Sequence, residues 1–176
     1  MDGPRGSEAL RCTVRGCGRG LLREGARLAC AEGHSFDRAR GGWYHLAQPQ
    51  DRRSREPGDG APAVAGRELL RTLGLGGGVL EAAARLAGDF QGVGVDVGCG
   101  GGALLERLHR PVARELFGVD LSAAAARVAA RRGVATILVA NADRGLPFRD
   151  GVVAAAFSLD ARRPAAELAR VLAPQG

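Results

Sequence analysis

The chain has 176 residues, 45% hydrophobic and 4% aromatic, with 28 glycines; that suits a small module plus a modest Gly/Ala-rich α/β domain better than a β-sandwich. Its 25 basic residues are all arginine, the net charge is +6 and the pI is about 10.3, a balance that favours a polyanionic partner over a membrane because guanidinium groups grip phosphate with two parallel hydrogen bonds. No run of about 18 apolar residues exists to span a bilayer, and Met1-Asp2-Gly3-Pro4 lacks the charged and apolar regions of a secretory signal, so a cytoplasmic location is expected, where the four cysteines stay reduced and serve metal or cofactor chemistry.

Residues 1–9 read as a disordered lead. Residues 10–48 hold three of the cysteines and show no long helical period, so short strands and turns are expected. Within them four residues separate Cys12 from Cys17, twelve separate Cys17 from Cys30, and three separate Cys30 from His34. Two close pairs on separate turns give a closed site of three thiolates and one imidazole, the pattern of structural zinc. A module of about forty residues has too little core to fold alone, so the metal would contribute folding energy directly. Trp43, Tyr44 and His45 follow; packing the module's core is favoured over stacking on bases. Residues 49–62 are rich in Arg, Pro and Gly and form a linker or ordered loop.

Helices are expected over 63–74, with Leu69, Leu70 and Leu73 on one face, and over 79–88. The pattern then alternates. Strands at 93–97, 116–120, 136–140 and 152–159 are interleaved with helices at 103–108 and 123–132, and a last helix covers 164–172. This order predicts a parallel sheet with helices on both faces.

Between the first of these strands and its helix lies Val93-Gly94-Val95-Asp96-Val97-Gly98-Cys99-Gly100-Gly101-Gly102. Gly98, Gly100 and Gly102 let main chain approach a ligand, and the next helix starts beside it. The run also meets a loose dinucleotide pattern through Ala103, which leaves a nicotinamide-dependent oxidoreductase as an alternative. Two carboxylates tilt the choice to S-adenosylmethionine. Asp96, two residues before Gly98, can organise the loop and reach the methionyl amine. Asp120, in Gly118-Val119-Asp120-Leu121-Ser122, is placed to accept from both ribose hydroxyls. Cofactor contacts are therefore expected from Asp96, Gly98, Cys99, Gly100, Gly102, Asp120 and Leu121. After the third strand Asn141, Ala142 and Asp143 either cover the adenine or simply form a turn.

Four segments together resemble the 23S ribosomal RNA (guanine-N1)-methyltransferases that carry an N-terminal zinc domain. They are Cys30 through Asp37 with its His34-Ser35-Phe36; Arg52-Arg53-Ser54-Arg55-Glu56-Pro57-Gly58-Asp59; Asp96-Val97-Gly98-Cys99-Gly100; and Glu167-Leu168-Ala169-Arg170-Val171-Leu172. The resemblance implies an α/β fold, a small zinc ribbon (10–48) and a junction (49–62) before a Rossmann-like class I methyltransferase domain (63–176). It implies Zn2+ on Cys12, Cys17, Cys30 and His34, S-adenosyl-L-methionine, and a hairpin of 23S rRNA as substrate, with Arg52, Arg53 and Arg55 meeting phosphate. Asp160, at the end of the fourth strand, stands where substrate-facing residues sit and is the candidate catalytic base. The chain departs from the family in three places: the wider Cys12–Cys17 spacing, Gly74-Leu75-Gly76-Gly77-Gly78 where an aromatic touches the cofactor, and Leu159-Asp160-Ala161-Arg162 where an aromatic precedes Ala-Pro. In that fold the strands run 3-2-1-4-5-7-6, and this chain supplies the first four, so a C-terminally truncated domain is expected. Its fourth strand would be an open edge to be covered by a homodimer or another partner. The alternative function is a catalytically inactive zinc- and RNA-binding protein on the same scaffold.

Overall fold

The computed structural model describes residues 6–49, 58–109 and 114–174. Residues 6–9 of the expected disordered lead form a short 3-10 helix, Gly6–Ala9, and residues 1–5 of it lie outside the described residues. The reason is a long-range contact: Leu10 bridges Phe148, and the Ala9 carbonyl accepts from the Arg149 N–H. Both Ala9 and Leu10 are buried.

Three short antiparallel strands follow in the order β1 (Leu21–Glu24), β2 (Arg27–Cys30), β3 (Ser35–Asp37). The β1–β2 turn has two residues, with Gly25 at φ +59°, the kind of turn that matches strand twist.

The second sheet holds β4 (Tyr44–His45), β5 (Gly92–Val97), β6 (Arg114–Asp120), β7 (Thr136–Val139) and β8 (Val153–Phe157). All pairs are parallel and the order is β4-β7-β6-β5-β8. The last four reproduce the expected 3-2-1-4 arrangement. The addition is β4, which comes from the Cys/His segment: Tyr44 and His45 pair with Leu138 and Val139, and the Leu46 and Ala47 N–H groups both donate to the Val139 carbonyl. Trp43 and Tyr44 are buried and His45 is exposed, which fits the core-packing expectation for the two larger rings. At the other edge, the outer side of β8 is met among the described residues by Leu172, which bridges Val153.

The helices are α1 (Ala61–Thr72), α2 (Gly77–Leu86), α3 (Ala103–Leu108), α4 (Ala123–Arg131) and α5 (Ala165–Val171). Ser122 caps α4 by accepting from the Ala125 N–H. On α1 only Val64 is buried; Leu69, Leu70 and Leu73 are 60%, 50% and 68% exposed. The apolar periodicity there marks a face that nothing among the described residues covers.

One hydrophobic cluster joins the two sheets. Leu21, Leu28, Phe36 and Leu46 from the Cys/His segment pack with Val93, Val95, Leu138 and Phe148, and Phe148 meets Phe117 edge to face at 5.3 Å. Glu167 and Arg170 of α5 explain why that segment matters. Glu167 accepts from the Leu146 N–H, while Arg170 donates to the Leu146 and Phe148 carbonyls. Arg170 in turn holds the Glu167 carboxyl below its ordinary range.

Candidate cofactor crevice and metal centre

β5 ends at Val97 and the chain turns through Gly98, Gly100 and Gly102 at φ +75°, +51° and +78°. Two of these glycines are required by contact as well. A Cβ on Gly98 would overlap the Ala161 methyl, and one on Gly102 would lie 3.0 Å from the Ala129 Cβ. The bend hangs from β6: the Gly98 and Cys99 N–H groups donate to the Val119 carbonyl at 2.8 and 3.1 Å. Asp120 then ties the two strand ends together, accepting from the Gly100 and Ser122 N–H groups at 2.8 Å each.

A crevice of about 730 Å³ opens over these strand ends. Of the ten expected cofactor residues, Gly98, Asp120, Leu121, Asn141, Ala142 and Asp143 line it. Gly100 faces open space, where a Cβ would touch nothing. Cys99 turns its sulfur away, into the cluster with Leu105 and Ile137 beneath β6. Asp96 lies within β5 at 3% exposure. Burial, and then the neighbouring Asp120, push its carboxyl up to about 7. Burial also raises Asp120, against the two N–H groups it holds. The Cys99 thiol is raised by burial and by both carboxylates, so it stays protonated. Asn141 has its side-chain oxygen committed to the Asp143 N–H. Its amide N–H groups are donors, and its oxygen keeps one further lone pair. Asp143 lies 3.4 Å from Arg162.

Two lining residues escaped the sequence reading. Gly58 and Asp59 lie across the end of β6, where the Ser122 hydroxyl donates to the Asp59 carbonyl at 2.6 Å and the Asp59 carboxylate pairs with Arg67 of α1. Gly58 has φ +82°, and a Cβ there would come 2.9 Å from the Ser122 nitrogen. The signal was available, since the two residues close the Arg52-to-Asp59 run. Gly58→Ala is expected to lift this segment off Ser122 and weaken adenosyl-ligand binding about tenfold (~1.4 kcal/mol) with little change in unfolding temperature; parallel calorimetry and melting curves check it. Arg52, Arg53 and Arg55 lie outside the described residues.

Asp160 follows β8 at φ +51°, the one positive-φ non-glycine among the described residues, and is exposed. Its neighbours Ala161 and Arg162 reach the crevice. A non-glycine in this region carries a backbone cost of order 1 kcal/mol, a pattern that gathers at functional turns.

The four candidate metal ligands form one Cys/His cluster. The ligand atoms of Cys12, Cys17, Cys30 and His34 all lie within 4.8 Å of one another. His34 Nδ1 is 3.6 Å from Cys12 Sγ and 3.5 Å from Cys30 Sγ, and the Cys17 and Cys30 sulfurs are 3.9 Å apart. A tetrahedral zinc with Zn–S of about 2.3 Å and Zn–N of about 2.0 Å separates its ligands by about 3.8 Å (S to S) and 3.5 Å (S to N). The donor set fits that ion with no position left open. Each pair sits on its own turn, closed by Cys17 N–H to Val14 and by Gly33 N–H to Cys30. Burial first, against the Val14 backbone, lifts the Cys12 thiol to about 12. At Cys30 burial is outweighed by the Glu32 and His34 N–H groups, and the thiol falls to about 7.

Between this knuckle and the turn after β7 lies a second cleft, of about 970 Å³. Arg11, Arg15 and Arg144 stand on its walls, with Leu46 and Gln48 between them, and it shares Ala140 and Asn141 with the first crevice. Thr13 donates to the Leu46 carbonyl and Gln48 to Thr13, which ties the knuckle to β4 and through it to β7.

Residues 94–176 match the methyltransferase domain family. Over 174 residues the chain is 34% identical to the 23S rRNA (guanine(748)-N(1))-methyltransferase of Streptomyces fradiae; 95% of this chain is covered and it spans 60% of that relative's length. In structure it is similar to a Methanococcus maripaludis protein assigned as an S-adenosyl-L-methionine-dependent methyltransferase (TM-score 0.57, 17% identity, 64% and 59% of the two chains), a likeness of fold alone. It is also similar to geranyl diphosphate C-methyltransferase of Streptomyces coelicolor, solved with S-adenosyl-L-homocysteine (TM-score 0.51, 25% identity, 72% and 51%). The chain has the Rossmann-like parallel sheet of class I S-adenosylmethionine-dependent methyltransferases, with a Cys/His cluster near its N-terminus. No described helix is long and apolar enough to cross a membrane.

Proposed function

We propose that the chain is an S-adenosylmethionine-dependent methyltransferase that acts on N1 of a guanine in a 23S rRNA hairpin, with zinc bound by Cys12, Cys17, Cys30 and His34. The observation that carries the reading is a juxtaposition. A glycine bend pinned by Asp120 opens onto a crevice, and that crevice shares a wall with an arginine-lined cleft beside the metal knuckle.

S-adenosylmethionine, bound in the crevice, supplies an electrophilic methyl group. The chain's own residues bind and orient. Asp120 keeps acceptor capacity after holding two N–H groups, since a carboxylate offers about four lone-pair sites, and takes the ribose hydroxyls. Asp96, ionised against the methionyl amine, anchors the amino-acid end. Asn141 donates to a ring nitrogen of the adenine and Asp143 accepts from its amine. Gly100, where a Cβ would face open space, leaves room for the ligand between these anchors. Arg11, Arg15 and Arg144 on the cleft walls, with Arg52, Arg53 and Arg55 from the junction, meet RNA phosphates. Guanine N1 carries a proton at neutral pH, and Asp160, next to the crevice residues Ala161 and Arg162, is the group assigned to take it or to orient the base.

The test uses zinc-loaded protein, methyl-labelled S-adenosylmethionine and 23S rRNA hairpins. Methyl on guanine N1 blocks Watson–Crick pairing and stops reverse transcription at that base, which is the expected result. A protein that binds S-adenosylhomocysteine and RNA yet transfers no methyl group would instead be the inactive zinc- and RNA-binding form of this scaffold.

A further inference from the structure

We infer that Arg132 and Glu68 form a latch that positions the glycine bend and so sets the affinity of the crevice without touching its ligand. The inference rests on the crevice binding an adenosyl ligand.

Three glycines in succession, Gly100 to Gly102, have more conformational freedom than any other backbone. The crevice needs one of their arrangements, in which the Gly100 N–H points at Asp120. The Gly101 carbonyl, at the middle of the run, accepts from Arg132 Nε at 2.5 Å. Arg132 follows directly on α4 and is itself gripped from two sides. Glu106 of α3 takes one guanidinium nitrogen at 2.6 Å and Glu68 of α1 takes the other at 2.8 Å. Arg71 holds the same Glu68 oxygen. The Glu68 carboxylate also sits where a Cβ on Gly101 would go, so it presses on the bend from outside.

The pair with Glu68 is not a loose surface one, although Glu106 is half exposed. The side chains of Arg132 and Glu68 are 13% and 25% exposed, and three helices contribute to the cluster. Exposed ion pairs are worth little because water screens them and long side chains must be immobilised. Here the guanidinium is a planar fork with three of its edges used, so little further freedom is lost. The latch also accounts for α1. With its leucine face uncovered, that helix is fixed to the domain by Val64 and by polar contacts that include Glu68 to Arg132 and Arg71 to Glu106. A tethered bend binds with less ordering cost, and preorganisation of this kind is read as affinity.

The experiment compares Arg132→Met, which removes every donor, with Arg132→Lys, which keeps the charge and a donor. S-adenosylhomocysteine affinity is measured by calorimetry, amide hydrogen exchange at residues 98–102 on the ligand-free protein, and unfolding temperature. Arg132→Met is expected to weaken binding about tenfold and speed exchange in the bend, and Arg132→Lys to stay within about threefold of the parent on both. Binding by Arg132→Met equal to the parent overturns the latch, and so does a loss that follows unfolding temperature with exchange in the bend unchanged. Should the parent itself not bind, the crevice reading fails on its own. The exchange comparison still decides the latch then: release of the bend amides in Arg132→Met supports it and identical exchange refutes it.

Discussion

Removal of zinc, by chelation or by Cys30→Ser, is expected to lower the unfolding temperature of the whole chain by at least about 10 °C. Strands of four, four and three residues are too short to persist as an independent sheet. The free energy of closing a structural zinc site, roughly 10 kcal/mol or more in small modules, is folding free energy. In this chain the loss does not stay local. Leu21, Leu28 and Phe36 pack in the same cluster as Leu138 and Phe148 of the large fold, and β4 forms the outer strand beside β7. Loosening the knuckle therefore exposes one side of the main core and frees the turn that carries Asn141. Melting curves with and without chelator, together with a metal stoichiometry near one zinc per chain, check this. Equal melting temperatures for loaded and chelated protein would show that the four ligands are structural bystanders.

Asp96→Asn is expected to stabilise the ligand-free protein at pH 8 while weakening S-adenosylhomocysteine binding by at least about tenfold. The sign follows from burial. The folded-state carboxyl is raised to about 7 from an ordinary 3.8, so the folded chain holds its proton more tightly than the unfolded chain does. Ligand-free stability is therefore highest below about pH 4, falls as pH rises to about 7, and is flat above. The gap corresponds to at most about 4 kcal/mol at pH 8. The neutral amide removes that cost, and a gain of a few degrees in unfolding temperature follows. The same ionised carboxylate is what the methionyl amine requires, so binding by the parent should strengthen as pH rises through 7, and Asp96→Asn should flatten that dependence. A buried aspartate with only a structural role would give the opposite stability result: its amide variant would melt lower at every pH.

The features legible in the sequence are those set by local rules. Four strands with helices between them made a parallel sheet legible, while the order 3-2-1-4 came from the family resemblance. The bend at Gly98, Gly100 and Gly102 was visible because three positions there need positive φ or close contact. The Cys/His set was visible because ligand chemistry restricts spacing. What was hidden depends on contacts between distant segments. Tyr44 and His45 are too few to show a strand period, yet they extend the sheet because Val139 has carbonyl capacity to spare. Ala9 and Leu10 look like the end of a tail until Phe148 and Arg149 are placed beside them. Gly58 and Asp59 close a run the sequence did single out, but their place on the crevice wall depends on the distant contact with Ser122. Leu69, Leu70 and Leu73 show the reverse: the helical period was real, but periodicity identifies a face without supplying what covers it.

The most direct measurement is calorimetric titration of S-adenosylhomocysteine into the zinc-loaded chain at pH 8. Saturable one-to-one binding, with amide protection spreading over residues 98–102 and 120–122 as the ligand is added, is the result expected. A folded, zinc-loaded chain that gives no binding heat and no change in those amides would contradict the account at its centre.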